Sequence, residues 1–240
     1  MEKMKILGIE TSSLVASAAI WEEDVIVAEY TVNFKKTHSQ TLLPMIDEIV
    51  RMTETQLASL DGIAVSGGPG SFTGLRIGSA TAKGLGLALK KPLIHVPTIA
   101  AMAYQCYGSR YLICPIMDAR RNQVYTGLYL FSGETFTTVM EPTAMDVREL
   151  MDTIHQTGRE PFFVGDGIPV YREQIEQMAE CPCHFAPAFM NRQRAAAVAS
   201  LGAVYMKEGR VETAAAHQPE YLRKPQAERE REAREREQNA

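Results

Sequence analysis

The sequence predicts an α/β protein made of two similar lobes, 1–108 and 109–226, followed by a charged tail. Short apolar runs of strand length alternate with longer segments of helical periodicity, as in α/β folds. The order β-β-β-α-β-α occurs in the first half of the chain and again, more weakly, in the second. A chain of 240 residues is long enough for two lobes that each bury a core.

The elements follow one another in the same order in both lobes. The first lobe is predicted to contain strands at 5–10, 16–21 and 25–33, a helix at 38–54, a strand at 61–67, a helix at 72–89, a strand at 93–96 and a helix at 99–107. The second is predicted to contain strands at 111–117, 123–131 and 134–141, a helix at 145–157, a strand at 161–164 and a helix at 192–207. Residues 227–240 alternate Glu and Arg without an apolar stripe, which predicts a solvated, partly helical tail.

Composition and charge narrow the class of function. Hydrophobic residues make up 45% and charged residues 22%, and the net charge of −4 counts against RNA binding by this chain alone. Neither a secretory signal nor an apolar run of membrane-spanning length occurs, so we expect a cytoplasmic protein without a membrane anchor. The CxC spacing of Cys181 and Cys183 favours a surface loop with reduced thiols over a zinc site.

A glycine-rich loop at 67–70 precedes the helix at 72–89. Backbone N–H groups at such a position suit an anion. A Walker A motif would continue with Gly-Lys-Ser/Thr, but Leu75 and Arg76 follow Gly74 here, so that motif is excluded. The sequence therefore predicts a tight turn with Ser71 or Thr73 as the helix cap.

Small residues recur along this helix at intervals of four. They form a ridge of Gly74, Gly78, Ala82 and Gly86. Glycine in a helix interior costs about 1 kcal/mol relative to alanine, so several such positions indicate a packing requirement. We expect the ridge to admit another helix, within the fold or between subunits.

Acidic and small residues end three predicted strands. These loops contain Glu10, Thr11 and Ser12, then Asp118, Arg120 and Arg121, then Gly165, Asp166 and Gly167. The pattern is that of actin-like and sugar-kinase-like ATPases, where such loops hold metal and phosphates. Those loops normally carry an Asp followed by glycines, because phosphate approaches the backbone closely. The bulkier residues at the first two loops argue against tight nucleotide binding.

The motifs together resemble the TsaB (YeaZ) family. The resemblance rests on residues 9–12 (IETS), 38–44, the GPGSFTGLRIG stretch at 68–78 and the loop 118–121, and it extends to Arg223. It implies an actin-like fold and a bacterial subunit that pairs with TsaD, which carries the active site, or with itself when alone. With the ATPase TsaE, that pair transfers threonylcarbamoyl, from an adenylate made by TsaC, to an adenosine of transfer RNA. The resemblance implies contact with RNA only through the complex.

The resemblance also implies where this chain binds its partner and what it lacks. The pairing surface would lie on helices of the first lobe and include Phe72, Gly74, Leu75, Arg76, Gly78 and Ala82. The catalytic relative binds its metal through a His-Met-Glu-Gly-His segment, and the matching stretch 98–102 here is TIAAM. His95 lies nearby, but a lone histidine beside a strand is more often structural. We therefore expect a non-catalytic subunit without a metal or cofactor.

Two enzymatic alternatives remain open. An ATP-dependent small-molecule kinase of the same fold would use Glu10 or Asp118 as its carboxylate. A peptidase is less favoured, because the adjacent His38 and Ser39 do not form a catalytic pair in regular structure. Arg76 near a helix start does not suit the helix dipole, which predicts a specific carboxylate partner in the cleft or across an interface.

Overall fold

Two five-stranded mixed sheets with the same strand order form the framework of the computed structural model, which describes residues 3–223. The first sheet contains β1 (Lys5–Glu10), β2 (Ala16–Glu22), β3 (Val25–Val32), β4 (Gly62–Gly68) and β5 (Leu93–Pro97). The second contains β6 (Leu112–Asp118), β7 (Gln123–Ser132), β8 (Thr135–Asp146), β9 (Pro161–Val164) and β10 (His184–Phe185). The predicted tail at 227–240 lies outside the described residues.

The two sheets repeat one topology. Their orders are β3-β2-β1-β4-β5 and β8-β7-β6-β9-β10. In each sheet the first three strands are an antiparallel meander, and the last two run parallel to the first. β1 and β6 are therefore equivalent central strands. The repeated unit that the sequence predicts is confirmed.

Six α-helices in the described part of the chain cover the sheets. They are α1 (His38–Met52), α2 (Phe72–Leu89), α3 (Thr98–Tyr104), α4 (Val147–Thr157), α5 (Ile168–Met178) and α6 (Ala195–Lys207). The sequence predicted neither α5 nor β10. Only three residues of α5 are buried, so its apolar pattern is weak, and β10 is two residues long. No helix within residues 3–223 combines the length and the apolarity that crossing a bilayer requires.

Helix α6 packs on the first sheet, although the chain reaches it only after the second. Gly202 lies so close to β4 that an added Cβ would sit 2.5 Å from that of Ala64. At the start of the helix, the backbone N–H of Ala195 donates to Ser17 Oγ at 3.1 Å. The carboxylate of Glu29 accepts from the N–H of Ala196 at 3.0 Å and pairs with Arg194. The second half of the chain thus contributes a helix to the first lobe.

The arrangement of helices on the sheets determines which helix faces stay exposed. Helices α1 and α2 cover one face of the first sheet, and α3 and α6 cover the other. The apolar core on the α3 and α6 side continues into the second sheet, so one core joins the two lobes. The outer faces of α1 and α2 have no covering layer within the described residues.

Candidate functional site

A cleft of about 530 Å³ opens between the lobes, at the carboxyl ends of β1 and β6. Its charged and titratable lining consists of Lys36, His38, Asp118, Arg120, Asp166 and Arg223. This is the position at which the three predicted strand-end loops meet. The structure therefore brings members of all three loops together, although it gives them different roles.

The first loop is enclosed by the fold. Burial raises the pKa of Glu10 from 4.5 to about 7, and its Oε1 accepts the backbone N–H of Ser12 at 2.5 Å. Thr11 donates through Oγ1 to the carbonyl of Gly74 at 2.8 Å. The carbonyl of Ser12 accepts the N–H of Ser71 at 2.6 Å. Neither Glu10 nor Thr11 lines the cleft; Thr11 joins the end of β1 to α2, and Glu10 holds the backbone of its own loop at Ser12.

The second loop keeps a backbone shape that favours glycine but carries large side chains. Arg120, Arg121 and Asn122 have φ values of 62°, 56° and 60°, which L-residues adopt infrequently. Asp118 Oδ1 accepts from the N–H of Arg120 at 2.8 Å and from the hydroxyl of Tyr171 at 2.9 Å. Arg120 lines the cleft at a position where a glycine would leave the backbone open.

The glycines of the third loop are explained by packing. Gly165 has φ of +123°, and a Cβ on it would overlap the carbonyl of Ile116 in β6. Gly167 donates its N–H to the same carbonyl at 3.0 Å. Burial raises the pKa of Asp166, whose Oδ1 accepts from Gln193 at 3.4 Å. Both glycines therefore allow the loop to approach β6.

Residues that no motif predicted connect the two sides of the cleft. Gln193 is buried and joins Asp166 to Ser13, whose hydroxyl donates to Gln193 Oε1 at 3.0 Å. Arg223 donates to the carbonyl of Ala119 at 2.9 Å. Their partners are 180 and 104 positions away in the chain, so local sequence patterns give no signal for them.

The histidine of the proposed peptidase pair has another partner. Nε2 of His38 lies 2.8 Å from the carbonyl oxygen of Ser13. That nitrogen is therefore engaged with backbone and not with the hydroxyl of Ser39. The geometry supplies no activated serine at this position.

In the small-residue ridge of α2, Gly74 and Gly78 pack against the end of β1 and Gly86 packs against Leu93 and Ala214, so no helix occupies the space beside these three glycines. A Cβ on Gly74 would overlap the carbonyl of Thr11, and one on Gly78 would overlap its hydroxyl. Leu75 and Ala82 are also buried within the lobe. Of the six residues predicted at the partner interface, four are covered by the chain itself. Glycine is required here because β1 and α2 approach closely.

Phe72 and Arg76 are the two predicted interface residues that reach the surface. The guanidinium carbon of Arg76 lies 3.9 Å from the ring centroid of Phe72, which in turn contacts Tyr221 at a centroid distance of 4.7 Å. Within residues 3–223 no carboxylate forms an ion pair with Arg76, so the predicted carboxylate partner is not found among these residues. A cation–π contact holds Arg76 instead.

Comparison with known proteins shows relatives over nearly the whole chain. The family model described as TsaD, tRNA N6-adenosine threonylcarbamoyltransferase, matches residues 26–231. The tRNA threonylcarbamoyladenosine biosynthesis protein TsaB of Bacillus subtilis is 31% identical over 94% of this chain and 96% of its own length. TsaB of Escherichia coli is 33% identical over 60% of this chain and 66% of its own length.

Solved structures agree with these sequence relatives. YeaZ from Pseudomonas aeruginosa superimposes with a TM-score of 0.78 at 25% identity, covering 92% of this chain and 100% of that one. Component A of (R)-2-hydroxyglutaryl-CoA dehydratase from Acidaminococcus fermentans has a TM-score of 0.50 at 11% identity, covers 83% of this chain and 99% of that one, and shows the fold alone. The two-lobed fold is actin-like, and the chain belongs to the TsaB (YeaZ) family of tRNA threonylcarbamoyladenosine biosynthesis proteins.

Proposed function

We propose that this chain is the non-catalytic, pairing subunit of a cytoplasmic complex that makes threonylcarbamoyladenosine in transfer RNA. Its partners are a TsaD-like catalytic subunit and a TsaE-like ATPase, and transfer RNA is reached through the complex. The observation that carries the proposal is the stretch Thr98–Met102, where the resemblance implies the metal-binding histidines of the catalytic relative. It lies in α3, its side chains are buried, and none is an imidazole.

The enclosed first loop supports the same proposal. To bind a metal ion, the carboxylate of the first loop would have to face the cleft. Glu10 is 1% exposed and holds its proton up to a pH of about 7, since burial raises its pKa to that value. A protonated, covered carboxyl group is a poor ligand for Mg²⁺, which prefers ionised oxygen ligands.

The outer face of α1 and α2 is the surface that fits a partner. Both helices expose large apolar side chains, with 53% of Leu43 and 69% of Met52 accessible on α1 and 61% of Leu87 accessible on α2. Arg76 and Ala80 lie on the exposed side of α2. Apolar exposure next to an arginine matches the composition of protein–protein interfaces, in which methionine and arginine are enriched. We place the interface on this face, not on the buried ridge.

Calorimetric titration of the full chain with TsaD from the same organism tests the proposal. We expect tight binding by the wild type and at least about 100-fold weaker binding, or about 2.7 kcal/mol, for Ala80→Trp and Leu87→Glu. Val170→Glu is the matched control, because Val170 is an apolar residue of helix α5 with 57% exposure, on the other lobe. Absence of binding by the wild type, or equal losses in the control, would refute the assignment.

A reconstituted transfer assay tests the non-catalytic role. TsaD, TsaE, the threonylcarbamoyl adenylate and transfer RNA are combined with and without this chain, and modified adenosine is measured. We expect no product from this chain alone and strong stimulation of the partner. Ala80→Trp should reduce the stimulation in parallel with binding. Product formed by this chain without TsaD would refute the role.

Self-association is expected through the same surface when the partner is absent. Sedimentation of the wild type should show a dimer that Ala80→Trp converts to a monomer, while Val170→Glu remains dimeric. A dimer that persists in Ala80→Trp would place self-association elsewhere.

A kinase of the same fold is the second candidate function. The observation that favours it is the basic lining of the cleft, to which Lys36, Arg120 and Arg223 contribute. Micromolar binding of Mg-ATP in a calorimetric titration would support the kinase, and its absence would leave the pairing subunit as the better explanation.

A further inference from the structure

Two histidines and two glutamates meet where the segment 212–223 returns to the first lobe after α6. The segment is fixed at both ends by backbone pairs. Glu212 exchanges two hydrogen bonds of 2.9 Å with Leu93 of β5, and the N–H of Glu220 donates to Gly67 at 2.6 Å. Between these anchors, the segment places His217 beside His95 of β5, with ring centroids 5.8 Å apart.

We propose that His95, His217 and Glu212 bind one divalent transition-metal ion of the zinc type. Each of the three residues offers one ligand atom, and these atoms lie within 4.8 Å of one another. Zinc–nitrogen bonds of 2.0–2.1 Å in a tetrahedron separate neighbouring ligands by about 3.3 Å. The ligand atoms, now up to 4.8 Å apart, would therefore have to approach one another by up to about 1.5 Å, which side-chain rotations permit. Nothing in the family resemblance or in the proposed pairing role uses these residues.

His217 carries the strongest sign of a missing ligand. The residue is 1% exposed, and its Nδ1 lies 2.6 Å from Glu212 Oε1. Its Nε2 is buried and has no hydrogen-bond partner in the described structure. A buried polar atom without a partner costs free energy, which a bound cation would recover.

His95 is held in place by the glycine-rich loop. A Cβ on Gly67 would overlap the imidazole ring, so glycine at this position makes room for the histidine. Glu220 Oε2 lies 3.9 Å from His95 Nε2 and can supply a fourth oxygen.

Nearby cations are engaged elsewhere. The ammonium group of Lys83 donates to the carbonyls of Ala215 and His217 at 3.2 and 3.0 Å. The guanidinium of Arg210 stacks 3.3 Å from the ring centroid of Tyr205 and pairs with Glu208 at 3.4 Å. These contacts leave the carboxylates of the cluster available to an ion. A bound metal would fasten the segment 212–223 to β5.

Titration of the full chain with Zn²⁺ and with Co²⁺ tests the site. We expect one ion per chain with a dissociation constant of micromolar order, a rise in melting temperature, and the visible absorption of tetrahedral Co²⁺. Glu212→Gln and His95→Gln should each weaken binding by roughly 100-fold or more. Both variants roughly keep the size of the side chain. They are preferred to His217→Ala, because His217 is buried and its truncation could prevent folding.

Two controls separate this site from other metal-binding groups. His184→Ala removes a surface histidine that pairs with Glu160 at 2.9 Å, and it should bind the metal like the wild type. The double variant Cys181→Ser with Cys183→Ser removes the partly exposed thiols and should also bind normally. The inference is overturned if the wild type binds neither ion, if Glu212→Gln and His95→Gln bind normally, or if the cysteine variant loses binding.

Discussion

Replacing Glu10 with glutamine should stabilise this protein increasingly as the pH rises. Burial raises the pKa of Glu10 from 4.5 to about 7. The native state therefore favours the protonated carboxyl group, and that stabilisation is complete below pH 4.5 and is lost as the pH rises through 7. With a difference of 2.5 between the folded and unfolded pKa, the stability lost relative to low pH is about 3 kcal/mol at pH 8 and about 1 kcal/mol at pH 5. Glutamine has no proton to lose, and its Oε1 can still accept the N–H of Ser12.

Denaturant unfolding of the wild type and Glu10→Gln between pH 5 and pH 8 measures this difference. The gap in the free energy of unfolding should widen by about 2 kcal/mol over that interval in favour of the variant. Glu173→Gln, at an exposed position of α5, controls for the loss of one negative charge. A gap that stays constant or narrows would mean that Glu10 is ionised in the native protein. The reasoning that the first loop is closed to metal and phosphate would then fail.

Three further outcomes follow from contacts in the structure. Gly74→Ala should lower the free energy of unfolding by about 2 kcal/mol, because the added Cβ would overlap the carbonyl of Thr11. Gly84→Ala should raise it by up to about 1 kcal/mol, because a Cβ there would meet nothing within 4 Å. Urea unfolding compares the two variants, and equal effects would contradict this packing. Glu29→Ala should lower the free energy of unfolding by about 1–2 kcal/mol, because the N–H of Ala196 at the start of α6 loses its carboxylate acceptor. An unchanged melting temperature would count against this role. Calorimetry with Mg-ATP should show binding weaker than micromolar, and tighter binding would revive the kinase.

Periodicity and motif spacing were enough to predict most of the secondary structure. Helix α2 and strand β9 begin and end where the sequence predicted, and Ser71 caps α2 by accepting the N–H of Gly74 at 3.3 Å. These elements have strong local signals, namely an apolar period, a cap and flanking turn residues. Strand β8 extends to Asp146, past its predicted end at 141, because cross-strand pairing with β7 sustains it.

The roles of the small and acidic residues were not readable from local patterns. Small residues along a helix can accommodate either another helix or the end of a strand. Only the packing of α2 on β1 shows that Thr11 occupies the space beside Gly74 and Gly78. Glu10 has the sequence context of a phosphate-loop carboxylate. Its side chain is only 1% exposed, and that burial is a property of the tertiary structure.

The sequence by itself determined the class of fold, the repeat and the family, because periodicity and a specific motif are properties of neighbouring residues. Tertiary structure alone decided that α6 joins the first sheet, that Gln193 joins Asp166 to Ser13, and that His95 meets His217. Each of these contacts joins residues far apart in the chain. Their meeting depends on how whole elements bury apolar surface against one another, and no local pattern records that outcome.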